Sequence, residues 1–248
     1  MKICAIIPAR YDSKRLPGKP LIYLNKKTLL EKTYRQVSKV IDEKDIYVLT
    51  DSNKVINTLK SKIKNFVLTP KKYDTGVERC AHNFQKIKKK YKGYLIVSCD
   101  FPYIPTLALK ETIKNFRKIA NIKNYAAATV HTSTKDKSII RSTKIPKIIL
   151  NNQNDILYLS RSPIPSNFKK KITYHVHHGP ICIKSEALLK MKDFEYKDLS
   201  SSEENEWLKF IENGLKIKSS LVKKISREIN DRRDLIFYQK KLFVKINK

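Results

Sequence analysis

Short apolar runs alternate with stretches of helical spacing through the first half of the chain. Residues 2–7 form an apolar run of strand length, and residues 28–40 place Leu29, Leu30, Tyr34, Val37 and Val40 at helical spacing behind Thr28 as a cap. Residues 46–50 predict a short buried strand, and Asp51-Ser52 predicts the cap of a helix over 53–63. A weaker strand at 65–68, a helix from 76 to about 89, a strand at 94–98, a helix at 105–119 and a strand at 125–131 continue the rhythm. Beyond that point the pattern shortens to extended pieces at 147–150, 156–159, 172–176 and 181–184. A helix at 202–213 stopped by Gly214, a strand at 217–222 and a last helix near 233–241 complete the chain.

Alternating strands and helices predict the α/β class, as a doubly wound, mainly parallel sheet with helices on both faces. The shorter pieces predict a small antiparallel insertion. Residues 162–171, with two prolines, predict an excursion that meets a second subunit. No linker, repeat or low-complexity block interrupts the 248 residues, so one domain over 1–248 is expected.

Charge changes the picture less than its size implies. Lys plus Arg of 53 against Asp plus Glu of 23 gives a formal charge of +30, which suits nucleic acid or an anionic surface. The lysines, however, are scattered through every predicted element among many Ile and Asn, as an AT-rich genome produces. No arginine-rich tail, zinc spacing or aromatic RNA-binding signature accompanies them, so nucleic acid is not the expected partner. Cys4, Cys80, Cys99 and Cys182 lie far apart without a C-x-x-C pair, as in a reducing compartment. No apolar run approaches membrane-spanning length and residues 1–7 are too short for a signal core, so a cytoplasmic protein without membrane contact is expected.

Candidate chemistry begins where the first strand ends. Ile6-Ile7-Pro8-Ala9-Arg10-Tyr11-Asp12-Ser13-Lys14-Arg15-Leu16-Pro17-Gly18-Lys19-Pro20-Leu21 runs from that strand into a loop with four cations and the only glycine before Gly76. Ligands of open α/β sheets bind beyond the carboxyl ends of the strands. Arg10, Lys14, Arg15 and Lys19 can neutralise a polyphosphate there, with Ser13 and backbone N–H groups as neutral donors. The alternative is a solvated basic face. Walker and dinucleotide glycine patterns are absent. Asp100, at the end of the strand at 94–98, is either a Mg²⁺ ligand opposite this loop or a turn residue before Pro102. Gly76 at a helix start leaves room for a base or phosphate that Arg79 can face, or is a routine helix start.

The run IIPARYDSKRLPGKPL closely resembles the N-terminal signature of the CMP-KDO synthetases, the cytidylyltransferases that make CMP-3-deoxy-manno-octulosonate. Cys99-Asp100-Phe101-Pro102 is similar to that family's Gly-Asp-Glu-Pro at the Asp and the Pro, and Thr75-Gly76-Val77-Glu78-Arg79 to its Ser-Gly-Thr-Glu-Arg. Tyr158-Leu159-Ser160-Arg161 through Pro165 resembles its Tyr-Phe-Ser-Arg-x-x-Ile-Pro. His177-His178-Gly179-Pro180-Ile181 resembles its His-x-Gly-Ile-Tyr, and the segment from Glu203 to Lys209 its acidic sugar-binding helix, with Glu203, Glu206 and Lys209 along one side. Ile229-Asn230-Asp231-Arg232-Arg233-Asp234-Leu235 matches Val-Asp-Thr-Pro-Glu-Asp-Leu with Asn230 at the first Asp.

The resemblance implies the nucleotide-diphospho-sugar transferase fold, a homodimer, Mg²⁺, and transfer from CTP to the anomeric hydroxyl of a 2-keto-3-deoxy sugar acid for lipopolysaccharide. It implies catalysis by Arg10, Arg15, Lys19 and Asp100, and a nucleotide pocket of Pro8, Ala9, Arg10, Ser13, Lys19, Gly76, Arg79 and Cys99. Sugar binding falls to Arg161, His177, Glu203 and Glu206, and the metal to Asp100 with Asn230 or, after a one-residue shift, Asp231. Ile181, Ile183 and Trp207 replace family residues in the sugar half, so a nonulosonic acid is an alternative acceptor. A non-catalytic nucleotide- or nucleic-acid-binding relic is the second alternative.

Overall fold

The computed structural model describes residues 1–13, 15–73, 75–169, 172–177 and 179–246. The chain divides into two compact units, each assembled from separate stretches of sequence. One comprises Ile3–Lys90, Ile96–Thr106 and Ser226–Lys248; it holds the cationic loop and is called the loop unit. The other comprises Met1–Lys2, Tyr91–Leu95 and Leu107–Ile225 and is called the ladder unit.

In the loop unit, strands Phe66–Leu68, Ile46–Thr50 and Ile3–Pro8 lie side by side and parallel, with Ala5 opposite Ile46 and Val48 opposite Phe66. All six residues of Ile3–Pro8 are buried, which explains the unbroken apolar run: a strand covered on both faces has no polar side to show. Val97 N–H donates to Ile6 O at 3.0 Å, which aligns the stretch leading to Asp100 beside the first strand. Helix Leu29–Val37 starts at Thr28 with a full capping box, Glu31 N–H to Thr28 Oγ1 and Thr28 N–H to a Glu31 carboxylate oxygen. A small hairpin, Tyr23–Leu24 with Lys27–Thr28, turns on Asn25 and Lys26, both at positive φ. Leu16, Leu24, Leu29, Ile229 and Tyr238 form one buried cluster, so the cationic loop is packed against the final segment of the chain.

The ladder unit is built on strand Tyr125–Thr134. Ile181–Lys184 and Tyr174–Val176 run antiparallel to it, and Lys216–Leu221 runs parallel. Lys147–Leu150 and Ile156–Ser160 continue the antiparallel ladder from Tyr174–Val176, which is the small insertion that the shorter sequence pieces predict. Ala126, Ala127 and Ala128 are fully buried. Gly93 is required by packing, since a Cβ there would fall inside the envelope of the Phe116 ring.

The α/β class with a mainly parallel arrangement around the first strand, helices flanking it and a small antiparallel sheet accords with the pattern in the sequence. Individual elements differ from it. The predicted helix at 53–63 ends at Leu59, and the one from 76 ends at Asn83 before a 3-10 turn, Phe84–Lys86. The predicted helix at 202–213 is two short helices, Asp198–Ser202 and Trp207–Glu212, parted by Glu204 at φ +43. Among the described residues no helix is long and apolar enough to cross a membrane.

Candidate active site

The loop after the first strand is fixed by its backbone. Ala9 N–H donates to Leu49 O at 2.8 Å, and Tyr11 N–H donates to Asp51 Oδ1 at 3.0 Å. Asp51 Oδ2 in turn meets Arg79 Nη2 at 2.9 Å, with the two side chains 2% and 1% exposed. Arg79 also donates to Thr69 Oγ1 and to Pro70 O. Arg79 therefore does not present its charge to a ligand as expected; it is buried against Asp51 and holds the loop at one remove. Asp51 likewise does not cap the following helix, whose N-cap Ser52 makes no side-chain cap bond. Burial decides both outcomes, because an ion sealed from water must take the nearest opposite charge. Gly76, expected to make room for a base, has Pro8 against it: a Cβ added at Gly76 would lie 3.0 Å from the Pro8 ring.

Tyr11 O then accepts from Ser13 N–H at 2.9 Å and from Gly18 N–H at 3.1 Å, which folds the loop back on itself. Gly18 takes φ +67, a left-handed conformation that other residues adopt only under strain, and opens the 3-10 turn Lys19–Leu21. That turn drives Lys19 inward: the residue is 8% exposed and its Nζ lies 2.7 Å from Asp100 Oδ2. Arg10 and Ser13 are half-buried and Arg15 is exposed. Lys14 lies outside the described residues.

Asp100 follows a buried Cys99, whose carbonyl accepts from Thr33 Oγ1 at 3.0 Å. Burial, reinforced by the Asp100 charge, pushes the Cys99 thiol up to about 12, so it stays protonated and contributes packing. Burial pulls the Lys19 ammonium toward neutrality, but the charge and hydrogen bond of Asp100 outweigh it and hold its pKa above the ordinary lysine value. Lys19 thus keeps its charge beside Asp100. Among the described residues Asp100 Oδ1 is buried with no hydrogen-bond partner, an unmet acceptor on the carboxylate that Lys19 pairs with.

The segment before the last helix completes this cluster. Ile229 N–H donates to Asp100 O at 3.0 Å. Asn230 Nδ2 donates to Glu228 Oε2 at 2.6 Å. Asp231 Oδ1 accepts from the Arg233 and Asp234 amides, a cap for helix Arg232–Ile246. Asp234 accepts from the Asn230 and Asp231 amides and pairs with Arg227 at 2.7 Å. Asp231 Oδ1 is thus engaged at the helix start, while Asn230 follows Ile229, whose amide bonds the Asp100 carbonyl. Sequence reasoning passed over Glu228. Burial and then the charge of Asp100 raise its pKa to about 7. Its signal was spacing: in an extended segment residues two apart share a side, so Glu228 goes wherever Asn230 goes.

Mg²⁺ is the metal this donor set fits. It takes one or two carboxylates and completes its shell with water and phosphate oxygens, without an all-protein cage. Among the described residues no group of three or more His, Cys, Asp or Glu is arranged to hold a metal.

The residues expected for sugar binding belong to the ladder unit, and two of them, Arg161 and Glu203, are bonded to each other. Glu203 accepts from Tyr158 Oη, Ser160 Oγ and Arg161 N–H, and Arg161 donates through Nε to Glu203 O and through Nη1 to Thr143 O, both at 2.8 Å. Glu203 closes one short helix and Glu206 opens the next, so with Lys209 they do not line one face of a single helix. His177 is 5% exposed, with Nε2 2.9 Å from Thr129 Oγ1. That hydroxyl gives its proton to Pro180 O, so His177 is the donor, protonated on Nε2. His178 lies outside the described residues.

Comparison with known proteins places this geometry. The chain is 31% identical over 243 residues to the 3-deoxy-manno-octulosonate cytidylyltransferase of Parabacteroides distasonis, covering 95% of this chain and 96% of that one. It is 31% identical over 227 residues to the enzyme of the same name from Bacteroides thetaiotaomicron, covering 88% and 89%. Its fold superposes on a solved structure of CMP:2-keto-3-deoxy-manno-octonic acid synthetase complexed with CTP with a TM-score of 0.90, at 22% identity, over 99% of this chain and all of that one. Residues 4–243 match the family model described as cytidylyltransferase, and with relatives this similar along nearly its whole length the chain belongs to the cytidylyltransferase family.

Proposed function

We propose that the protein transfers the cytidylyl group of CTP to the anomeric hydroxyl of 3-deoxy-manno-octulosonate, releasing pyrophosphate. The Lys19–Asp100 pair carries this reading: a buried ammonium and a carboxylate with an unmet oxygen, at the mouth of a cationic loop on the first strand. The names of the relatives at 31% identity supply the nucleotide and the sugar.

The loop binds the triphosphate through backbone N–H groups and Ser13, with Arg10 and Arg15 on its charged oxygens. Lys19 stabilises the charge that gathers on the phosphates as the sugar hydroxyl attacks the α-phosphorus in line with the departing pyrophosphate. Asp100 orients Lys19 and, with Asn230, holds Mg²⁺, which when bound neutralises phosphate charge. Arg79 and Asp51 keep the loop backbone in place. Arg161, His177, Glu203 and Glu206, all in the ladder unit, are assigned to the sugar. The reading also includes a homodimer acting in the cytoplasm; light scattering on the full chain should return twice the monomer mass, and a monomer at assay concentrations would contradict that part.

The test is pyrophosphate release from CTP with Mg²⁺ and a panel of keto-deoxy sugar acids that includes nonulosonic acids. Turnover should be greatest with 3-deoxy-manno-octulosonate, and Lys19→Ala and Asp100→Ala should each reduce it by about 100-fold or more. Preference for a nonulosonic acid would transfer the reading to that acceptor. Wild-type turnover in either variant would sink it.

A further inference from the structure

Glu228 is absent from the roles assigned above, yet three features tie it to Asp100. The Ile229 amide bonds the Asp100 carbonyl at 3.0 Å, so residues 228–230 lie against the metal-binding position. Ile229 is fully buried in the cluster with Leu16, Leu24, Leu29 and Tyr238, and in an extended segment this turns both neighbours to the other side. Asn230 and Glu228 do meet there, Nδ2 to Oε2 at 2.6 Å.

The charges on that side do not balance. Lys19 lies within electrostatic reach of both Asp100 and Glu228. The Lys19 ammonium satisfies Asp100 Oδ2 at 2.7 Å, while Asp100 Oδ1 is buried without a partner among the described residues. Two half-buried carboxylates near one lysine, one of them with an open acceptor, are stabilised by a divalent cation. A neutral amide at 230 supplies an oxygen but no charge. Its hydrogen bond instead aligns the carboxylate two residues earlier.

We propose that Glu228 is the second carboxylate ligand of the Mg²⁺ held by Asp100, with Asn230 as the residue that positions it. The inference rests on metal-dependent cytidylyl transfer, and the experiment separates the two. CTP affinity of the full chain is measured by calorimetry in Mn²⁺ and in EDTA, for the wild type and for Glu228→Gln, Asp100→Asn and Glu228→Gln/Asn230→Asp, with unfolding midpoints as a control for folding.

The wild type should bind CTP more tightly in Mn²⁺ than in EDTA. Glu228→Gln should lose about tenfold or more of that enhancement, and adding Asn230→Asp should recover most of it by returning a carboxylate to the same side. Full enhancement in Glu228→Gln together with its loss in Asp100→Asn would overturn the role of Glu228 and leave the transfer reading standing. A wild type whose CTP affinity ignores Mn²⁺ would overturn the metal dependence itself.

Discussion

His131 carries an ionisable ring into the middle of strand Tyr125–Thr134, where it is 2% exposed. Its Nδ1 lies 2.7 Å from Ser219 Oγ, and its ring packs edge-on to His175 with centroids 5.0 Å apart. Burial, and then the neighbouring His175, lower its pKa from 6.5 to about 4. A histidine whose folded pKa is depressed takes up its proton first in the unfolded chain. Stability is then full above pH 6.5 and falls as the pH drops toward 4, where the folded ring also titrates. The loss assigned to this residue is on the order of 3 kcal/mol. His131→Asn keeps an amide for Ser219 and removes the titration. Urea unfolding from pH 7 to pH 4 should show a shallower acid slope in the variant than in the wild type, and parallel slopes would refute the assignment.

At the level of elements, the buried Arg79–Asp51 pair joins helix Gly76–Asn83 to the end of strand Ile46–Thr50 and, through the Tyr11 amide, to the cationic loop. Removing Arg79 strands a buried carboxylate, so Arg79→Met should cost about 3–5 kcal/mol in urea unfolding. Arg79→Met/Asp51→Leu should recover much of that stability, since an apolar pair of similar volume replaces the ions, yet keep a raised KM for CTP because Tyr11 has lost its anchor. Recovery of both properties together would mean that Asp51 does not position the loop. Periodicity revealed that these elements exist, but not which charged residues they seal between them, because an Asp before a helix looks the same whether it caps or pairs. The split at 204 was hidden for a related reason. Helical spacing persists from Ser202 to Asn213, and only Asn205, whose Oδ1 accepts from the Trp207 amide, marks a new start. The hairpin at Asn25 and Lys26 lacked the Asn-Gly signal that announces such turns.

Over the whole molecule, local motifs were legible in proportion to how locally their chemistry is built. The Lys19–Asp100 pair could be anticipated because a strand end and a loop after another strand must converge in a parallel sheet. Glu228 could not, because its role depends on which side of an extended segment the burial of Ile229 leaves exposed to Asp100. The charge of +30 acts on a longer range than either. Arg15, Lys71 and Lys72 are exposed, and CTP and keto-deoxy sugar acids are anions, so this field draws substrate toward the loop. Salt screens such steering within a Debye length of about 10 Å at 0.1 M, but leaves a buried pair such as Lys19–Asp100 nearly untouched. Raising NaCl from about 0.05 M to about 0.5 M should therefore lower kcat/KM for CTP by about tenfold, carried by KM, with kcat held nearly constant. The same addition should raise the unfolding midpoint, because it relieves repulsion among the surplus cations. A fall in kcat at constant KM would show instead that the exposed charges act in the transition state, and would move Arg15 from capture to catalysis.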